Sequence, residues 1–198
     1  SKKDGGTLPF SGGWFVYLGY ELVSQIENKI VSHKHRYNFP IAFATRIPAA
    51  IIKDNFNNET FIICEKKYKN LIKKIEMDIK ILLEKKKFLL KEKKIQNKIL
   101  VDSLREELPN NHIKNINKIL KYIKAGDVFQ VNLSREWYGK INKKYSASDI
   151  FSKLKNTNPS PFAGLVTYKN KAIISSSPER LIMVKNGYIE TRPIAGTR

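Results

Sequence analysis

The sequence predicts an α+β fold, a large antiparallel β-sheet with helices flanking it. Three observations carry that expectation. Short apolar, β-rich runs recur from residue 13 to residue 65 with turn residues between them, the spacing of an antiparallel meander. Helical periodicity fills the middle of the chain, where apolar residues return at three- and four-residue steps. After Gly126 the pattern turns back to β and closes on Asn186-Gly187, the strongest short hairpin signal a sequence offers.

In order, paired glycines, Gly12 and Gly13, precede the aromatic and β-branched run Trp14-Phe15-Val16-Tyr17-Leu18, which reads as a turn entering a strand. Strands follow at 41–46 and 49–54, a turn at 54–59, and another strand at 60–65. Tyr68, Leu71, Ile72, Ile75, Ile79, Leu82 and Leu83 then make one helical face, with lysines opposite. Residues 84–100 continue as an exposed helical extension or a linker. A second helix is capped by Asn110 or Asn111, striped by Ile113, Ile116, Leu120 and Ile123, and stopped by Gly126. A strand at 128–137, a short helix at 148–155, and strands at 163–168, 172–176, 180–184 and 188–192 complete the reading. The lysine-rich middle separates an N-terminal region, residues 1–108, from the start of a second domain, residues 109–198.

Composition narrows the function classes. The 198 residues are 41% hydrophobic, which suits a folded chain, and no apolar run approaches the ~20 residues a membrane helix needs. One cysteine, Cys64, rules out an internal disulfide and fits a cytoplasmic protein; lying in Phe61-Ile62-Ile63-Cys64, it reads as a buried structural thiol. The net charge of +19 invites a nucleic-acid reading. That charge is densest at 66–98, a stretch without arginine, so a solvated lysine face is the better account and a basic binding module is set aside. His33, His35 and His112 show no metal-ligand spacing. No initiator methionine opens the chain and no tail closes it, and both ends read as cuts within a longer protein.

Four segments carry candidate chemistry. Ile123 to Ser134 places Gln130 and Asn132 on one strand face, which would need polar partners if buried. Asn158-Pro159-Ser160-Pro161-Phe162 is a loop stiffened by two prolines, a good wall for a small ligand and equally an ordinary turn. Ser175-Ser176-Ser177-Pro178-Glu179-Arg180 and Pro193-Ile194-Ala195-Gly196-Thr197 flank one hairpin, so Glu179 and Gly196-Thr197 can lie side by side. A carboxylate, a hydroxyl and bare glycine backbone would then share one spot, a set able to orient a small polyoxygenated anion. Glu179 beside Arg180 is equally readable as a surface ion pair.

Taken together and in order, GGWFVYLGYE, IKAGDVFQVNLS, NPSPF, SSSPER and RPIAGTR resemble component I of the anthranilate synthase and aminodeoxychorismate synthase family, across nearly the whole chain. The resemblance implies a truncated component I-like fold, with residues 109–198 beginning a chorismate-binding domain. It implies chorismate as substrate, Mg2+ as cofactor, and ammonia delivered by a glutamine amidotransferase, component II. Glu179 matches the active-site acid of the SPER motif, while Ala195, Gly196 and Thr197 match positions at the substrate. Asn158, Pro159, Ser160, Pro161 and Phe162 match a loop that helps enclose tryptophan in many relatives. The Mg2+ ligands and the remaining acid-base groups are expected beyond residue 198, so the piece alone is expected to be inactive. Ala195 stands where many aminodeoxychorismate synthases carry a nucleophilic lysine, which points to anthranilate synthase. Val131-Asn132-Leu133, Pro161-Phe162-Ala163 and the opening GGWFVYLGYE look more like the folate branch, some of whose members also have alanine at this position. The reading therefore leans to aminodeoxychorismate synthase, with anthranilate synthase as its alternative and a non-catalytic amidotransferase scaffold as a third, which intact Glu179 and Gly196-Thr197 disfavour.

Overall fold

The computed structural model describes residues 8–31, 37–89 and 101–194, with residues 86–89 described by their backbone alone. Contacts divide the chain into two compact units, Ser1–Gln96 and Asn97–Arg198. Helices and antiparallel strands are mixed in each, the α+β class that the periodicities predict.

In the first unit, β1 (Gly13–Leu18) pairs antiparallel with β2 (Ala42–Ile47), from Gly13 opposite Ile47 to Leu18 opposite Ala42. Alternation puts Phe15 and Tyr17 on one face, where Phe43 stacks on Tyr17 at 5.3 Å and Phe39 meets the Tyr17 ring edge-on at 5.2 Å. Phe39 is the one buried side chain among the described residues. The expected strand ends at Leu18. A 3-10 turn (Tyr20–Leu22) and the one-turn α1 (Val23–Ile26) follow, because the Gly19 amide turns to the Ile41 carbonyl at 2.7 Å and closes the ladder.

The second hairpin joins β3 (Ala49–Asp54) to β4 (Glu59–Cys64). Its turn is built by Asp54, whose Oδ1 accepts from the Phe56 amide at 2.8 Å and the Asn57 amide at 3.2 Å, while Oδ2 accepts from the Asn57 side chain at 2.8 Å. Cys64 is half-buried rather than buried, and its thiol donates to the Tyr68 carbonyl at 2.8 Å. Helix α2 (Asn70–Leu89) packs on β4, and so carries helix into the segment read as extension or linker; residues 90–100 of that segment lie outside the described residues.

The second unit opens on a strand that the sequence did not announce. β5 (Val101–Glu106) carries Asp102, Arg105 and Glu106 and has little apolar alternation, yet it pairs with β6 (Trp137–Ile141). The strand expected at 128–137 is displaced in consequence. Residues 128–136 are not in a strand; the Glu136 carbonyl accepts from the Glu107 amide at 3.2 Å, and β structure begins only at Trp137, opposite Glu106. Arg135 fastens this joint through Glu106 at 2.9 Å and the Glu107 carbonyl at 3.2 Å, with its guanidinium 5.2 Å from the Trp137 ring.

Between β5 and β6 lies α3 (Pro109–Ala125). It starts on Pro109 without a side-chain cap, so Asn110 and Asn111 fall inside the helix rather than at its boundary. Gly126 ends it in a left-handed conformation (φ 82°), and the Asp127 amide returns to the Tyr122 carbonyl at 3.0 Å. Its predicted apolar stripe is present, but Ile113, Ile116, Leu120 and Ile123 all stay exposed.

Helix α4 (Ala147–Thr157) is started by Ser146, which exchanges hydrogen bonds with Asp149 in a capping box. It packs on the hairpin of β7 (Phe162–Tyr168) and β8 (Lys171–Ser177). The last hairpin joins β9 (Met183–Lys185) to β10 (Tyr188–Glu190) through Asn186 and Gly187, at φ 53° and 78°, the geometry an Asn-Gly turn favours. The described strands pair two by two, as five antiparallel ladders. Alternation demands a covered face from each strand; it does not say how many strands will join. Among the described residues, no helix is long and apolar enough to cross a membrane.

Candidate functional site

In the second unit the 158–162 loop meets the 175–180 segment, and that segment in turn meets Ile194, the last described residue of the final motif. The β7–β8 ladder sets Phe162 opposite Ser177 and Ala163 opposite Ser176, bringing the 158–162 loop against the Ser-Ser-Ser end of β8. Ser176 makes the joint: its hydroxyl donates to the Asn158 carbonyl at 2.6 Å and lies 3.0 Å from the Ser160 hydroxyl. The loop closes on itself through the Ala163 amide and Ser160 carbonyl, 3.2 Å apart. Asn158, Pro159, Pro161 and Phe162 are exposed, and Ser160 is half-buried.

Next along the chain, Ser177 shapes the approach to Glu179. Its hydroxyl donates to the Glu179 carbonyl at 3.1 Å and accepts from the Glu179 amide at 3.3 Å, so Pro178 sits in a tight serine-made turn. The Glu179 side chain is thereby directed across the hairpin. Its Oε1 accepts from the Ile194 amide at 3.2 Å. Arg180 does not pair with its neighbour; it reaches forward to Glu190 on β10. The Glu179–Arg180 surface pair is therefore not formed, and the carboxylate meets Ile194, in the segment that carries the last motif. Ala195, Gly196 and Thr197, which continue from Ile194, lie outside the described residues.

The fourth segment differs from expectation. With no strand at 128–136, Gln130 and Asn132 are exposed and satisfy one another, amide nitrogen to side-chain oxygen at 3.2 Å. Sequence reasoning did not single out Ser176, Ser177 or Glu190 for a structural role. A strand-end serine run before proline could have signalled the turn; the Glu190 contact spans ten residues and leaves no local signature.

Chemically, the cluster offers one exposed carboxylate, oriented by a backbone amide, beside serine hydroxyls and exposed backbone. Such groups can hold and protonate a small oxygen-rich molecule. Among the described residues, no three His, Cys, Asp or Glu side chains gather where a metal ion could sit.

Fold and site together define an α+β protein with a polar cluster of one carboxylate and serine hydroxyls at the end of a hairpin. Residues 2–198 match the family of chorismate binding enzymes. The chain belongs to that family. It is 32% identical over 200 residues to an anthranilate synthase component I-like protein of Synechocystis, covering 96% of this chain and 38% of that protein. Over 87 residues it is 44% identical to aminodeoxychorismate synthase component 1 of Bacillus subtilis, 42% of this chain and 17% of that one. The crystal structure of anthranilate synthase component I from Streptococcus pneumoniae superposes with a TM-score of 0.69 at 21% identity, covering 93% of this chain and 42% of that one, which shows the shared fold. The chain thus spans about two fifths of the length of the curated relatives that it matches along most of its own length.

Proposed function

We propose that this chain is part of component I of an aminodeoxychorismate synthase, which aminates chorismate to 4-amino-4-deoxychorismate with ammonia from a glutamine amidotransferase partner. The observation that carries the reading is the Glu179–Ile194 hydrogen bond, which sets the SPER carboxylate against the segment leading into Ala195-Gly196-Thr197. Glu179 would exchange a proton with the departing ring hydroxyl. Gly196 would let the substrate approach the backbone, and the Thr197 hydroxyl would orient its carboxylate. Mg2+ belongs to the proposal as a cofactor bound by residues outside these 198, where a hard cation suits a carboxylate-bearing substrate. The lean to the folate branch rests on Val131-Asn132-Leu133, Pro161-Phe162-Ala163 and the opening GGWFVYLGYE. Local identity does not separate the branches, being 44% to an aminodeoxychorismate synthase component 1 over 87 residues and 40% to an anthranilate synthase component 1 over 91.

A specific observation favours a second reading, anthranilate synthase component I. Ala195 supplies a methyl group where a lysine amine would be needed to attack the ring, so ammonia would have to attack directly. Relatives named anthranilate synthase component 1 also match along 96% of the chain, at 29 to 31% identity. The test is product identity, from the full-length protein supplied with chorismate, Mg2+ and ammonium. Formation of 4-amino-4-deoxychorismate supports the first reading and anthranilate the second; unchanged chorismate overturns both.

A further inference from the structure

We propose that Glu190 is a positioning residue for the Glu179 site, a clamp that holds the two arms of the β9–β10 hairpin together where their ladder has run out. The ladder ends at Met183 opposite Glu190. Beyond it, the arm carrying Glu179 and the arm carrying Ile194 share no further strand pairs. Glu190 bridges them with a single oxygen. Arg180, from the incoming arm, donates to Oε1, and Arg192, from the outgoing arm, lies 2.6 Å from the same atom.

Exposure decides which of the two contacts counts. The Arg192 side chain is 76% exposed, so its pairing is screened and weak. Arg180 is 24% exposed, with its Nε buried and unpartnered, and its Nη1 lies 3.5 Å from the Met183 sulfur. Its charge therefore relies on Glu190, and removing that carboxylate leaves a half-buried cation without compensation. Arg180 is the residue directly after Glu179, and Ile194 follows Arg192 by two. Whatever holds the clamp closed sets the distance at which the Glu179 carboxylate meets the Ile194 amide. The role of the clamp in turnover rests on the function proposed above; its role in holding the two arms does not.

The test uses the full-length protein and two readouts. In Glu190→Gln, the Ile194 amide should exchange with solvent about tenfold faster, from loss of a charge-assisted contact, while ladder residues 183–185 and 188–190 keep their protection. Chorismate turnover should fall about tenfold in the same variant, yet Glu190→Gln should cost nothing further in a Glu179→Gln background, because the clamp acts through Glu179. Arg180→Lys keeps the charge and loses the planar fork; it should give the same pattern at smaller amplitude, and it serves where Glu190→Gln fails to fold. Unchanged exchange at Ile194, or an equal loss of turnover in both backgrounds, overturns the clamp. Faster Ile194 exchange in Glu190→Gln, together with a wild-type protein that leaves chorismate untouched, overturns the proposed function alone.

Discussion

The Ile194 amide donates to the Glu179 carboxylate at 3.2 Å, joining residues fifteen apart in sequence across a hairpin. That bond fixes one carboxylate oxygen and leaves the group exposed at the surface where the last motif begins. Glu179→Gln keeps the shape and an acceptor for Ile194 but cannot exchange a proton at working pH. Turnover by the full-length protein should fall about 10²-fold or more, the usual worth of a general acid-base group, with the melting temperature little changed. Steady-state rates beside a melting curve check this, and full activity in the variant would remove Glu179 from the chemistry.

Ser176 holds the 158–162 loop by its hydroxyl bond to the Asn158 carbonyl. Ser176→Ala leaves that carbonyl to water and should cost about 1 kcal/mol locally, felt as looser packing of the loop and not as global unfolding. Limited proteolysis should then cut within 158–162 sooner than in the wild type. Ser176→Thr, which keeps the hydroxyl on a residue suited to a strand, should restore resistance.

At the β3–β4 turn, the Asn57 side chain, and after it the Asn57 and Phe56 amides, hold the Asp54 carboxyl below its ordinary range. A lowered folded-state value gives stability that is fully present above the unfolded value and is lost as pH falls through the folded one. Titration followed at the Phe56 amide should therefore have its midpoint below about 3.9, the ordinary aspartate value. Asp54→Asn, which cannot ionise, should abolish the titration, and a midpoint above the ordinary value would contradict the turn geometry.

Local chemistry made parts of this fold legible. Asn186-Gly187 announces its hairpin and adopts the left-handed pair that such a turn requires. Gly126 announces the end of α3, and the Asp54 to Glu59 turn separates the two strands it was expected to separate. Elements that depend on a distant partner were not legible. β5 is a strand because β6 lies beside it, although Asp102, Arg105 and Glu106 give it a polar sequence. Residues 128–136 have the alternation of a strand, yet they join no ladder, and strand pairing begins only at Trp137. The site divides along the same line. Spacing about one hairpin placed Glu179 near the last motif, while the choice of Glu190 over Glu179 by Arg180 needed the register of β9 and β10.

Product identification tests the central claim most directly. Full-length protein incubated with chorismate, Mg2+ and ammonium should yield 4-amino-4-deoxychorismate, recognised by mass and by conversion to 4-aminobenzoate when a lyase is added. Anthranilate, recognised by its fluorescence, would move the protein to the other branch and make Ala195 the telling residue. Chorismate recovered unchanged would contradict the account of this chain as part of an aminating enzyme.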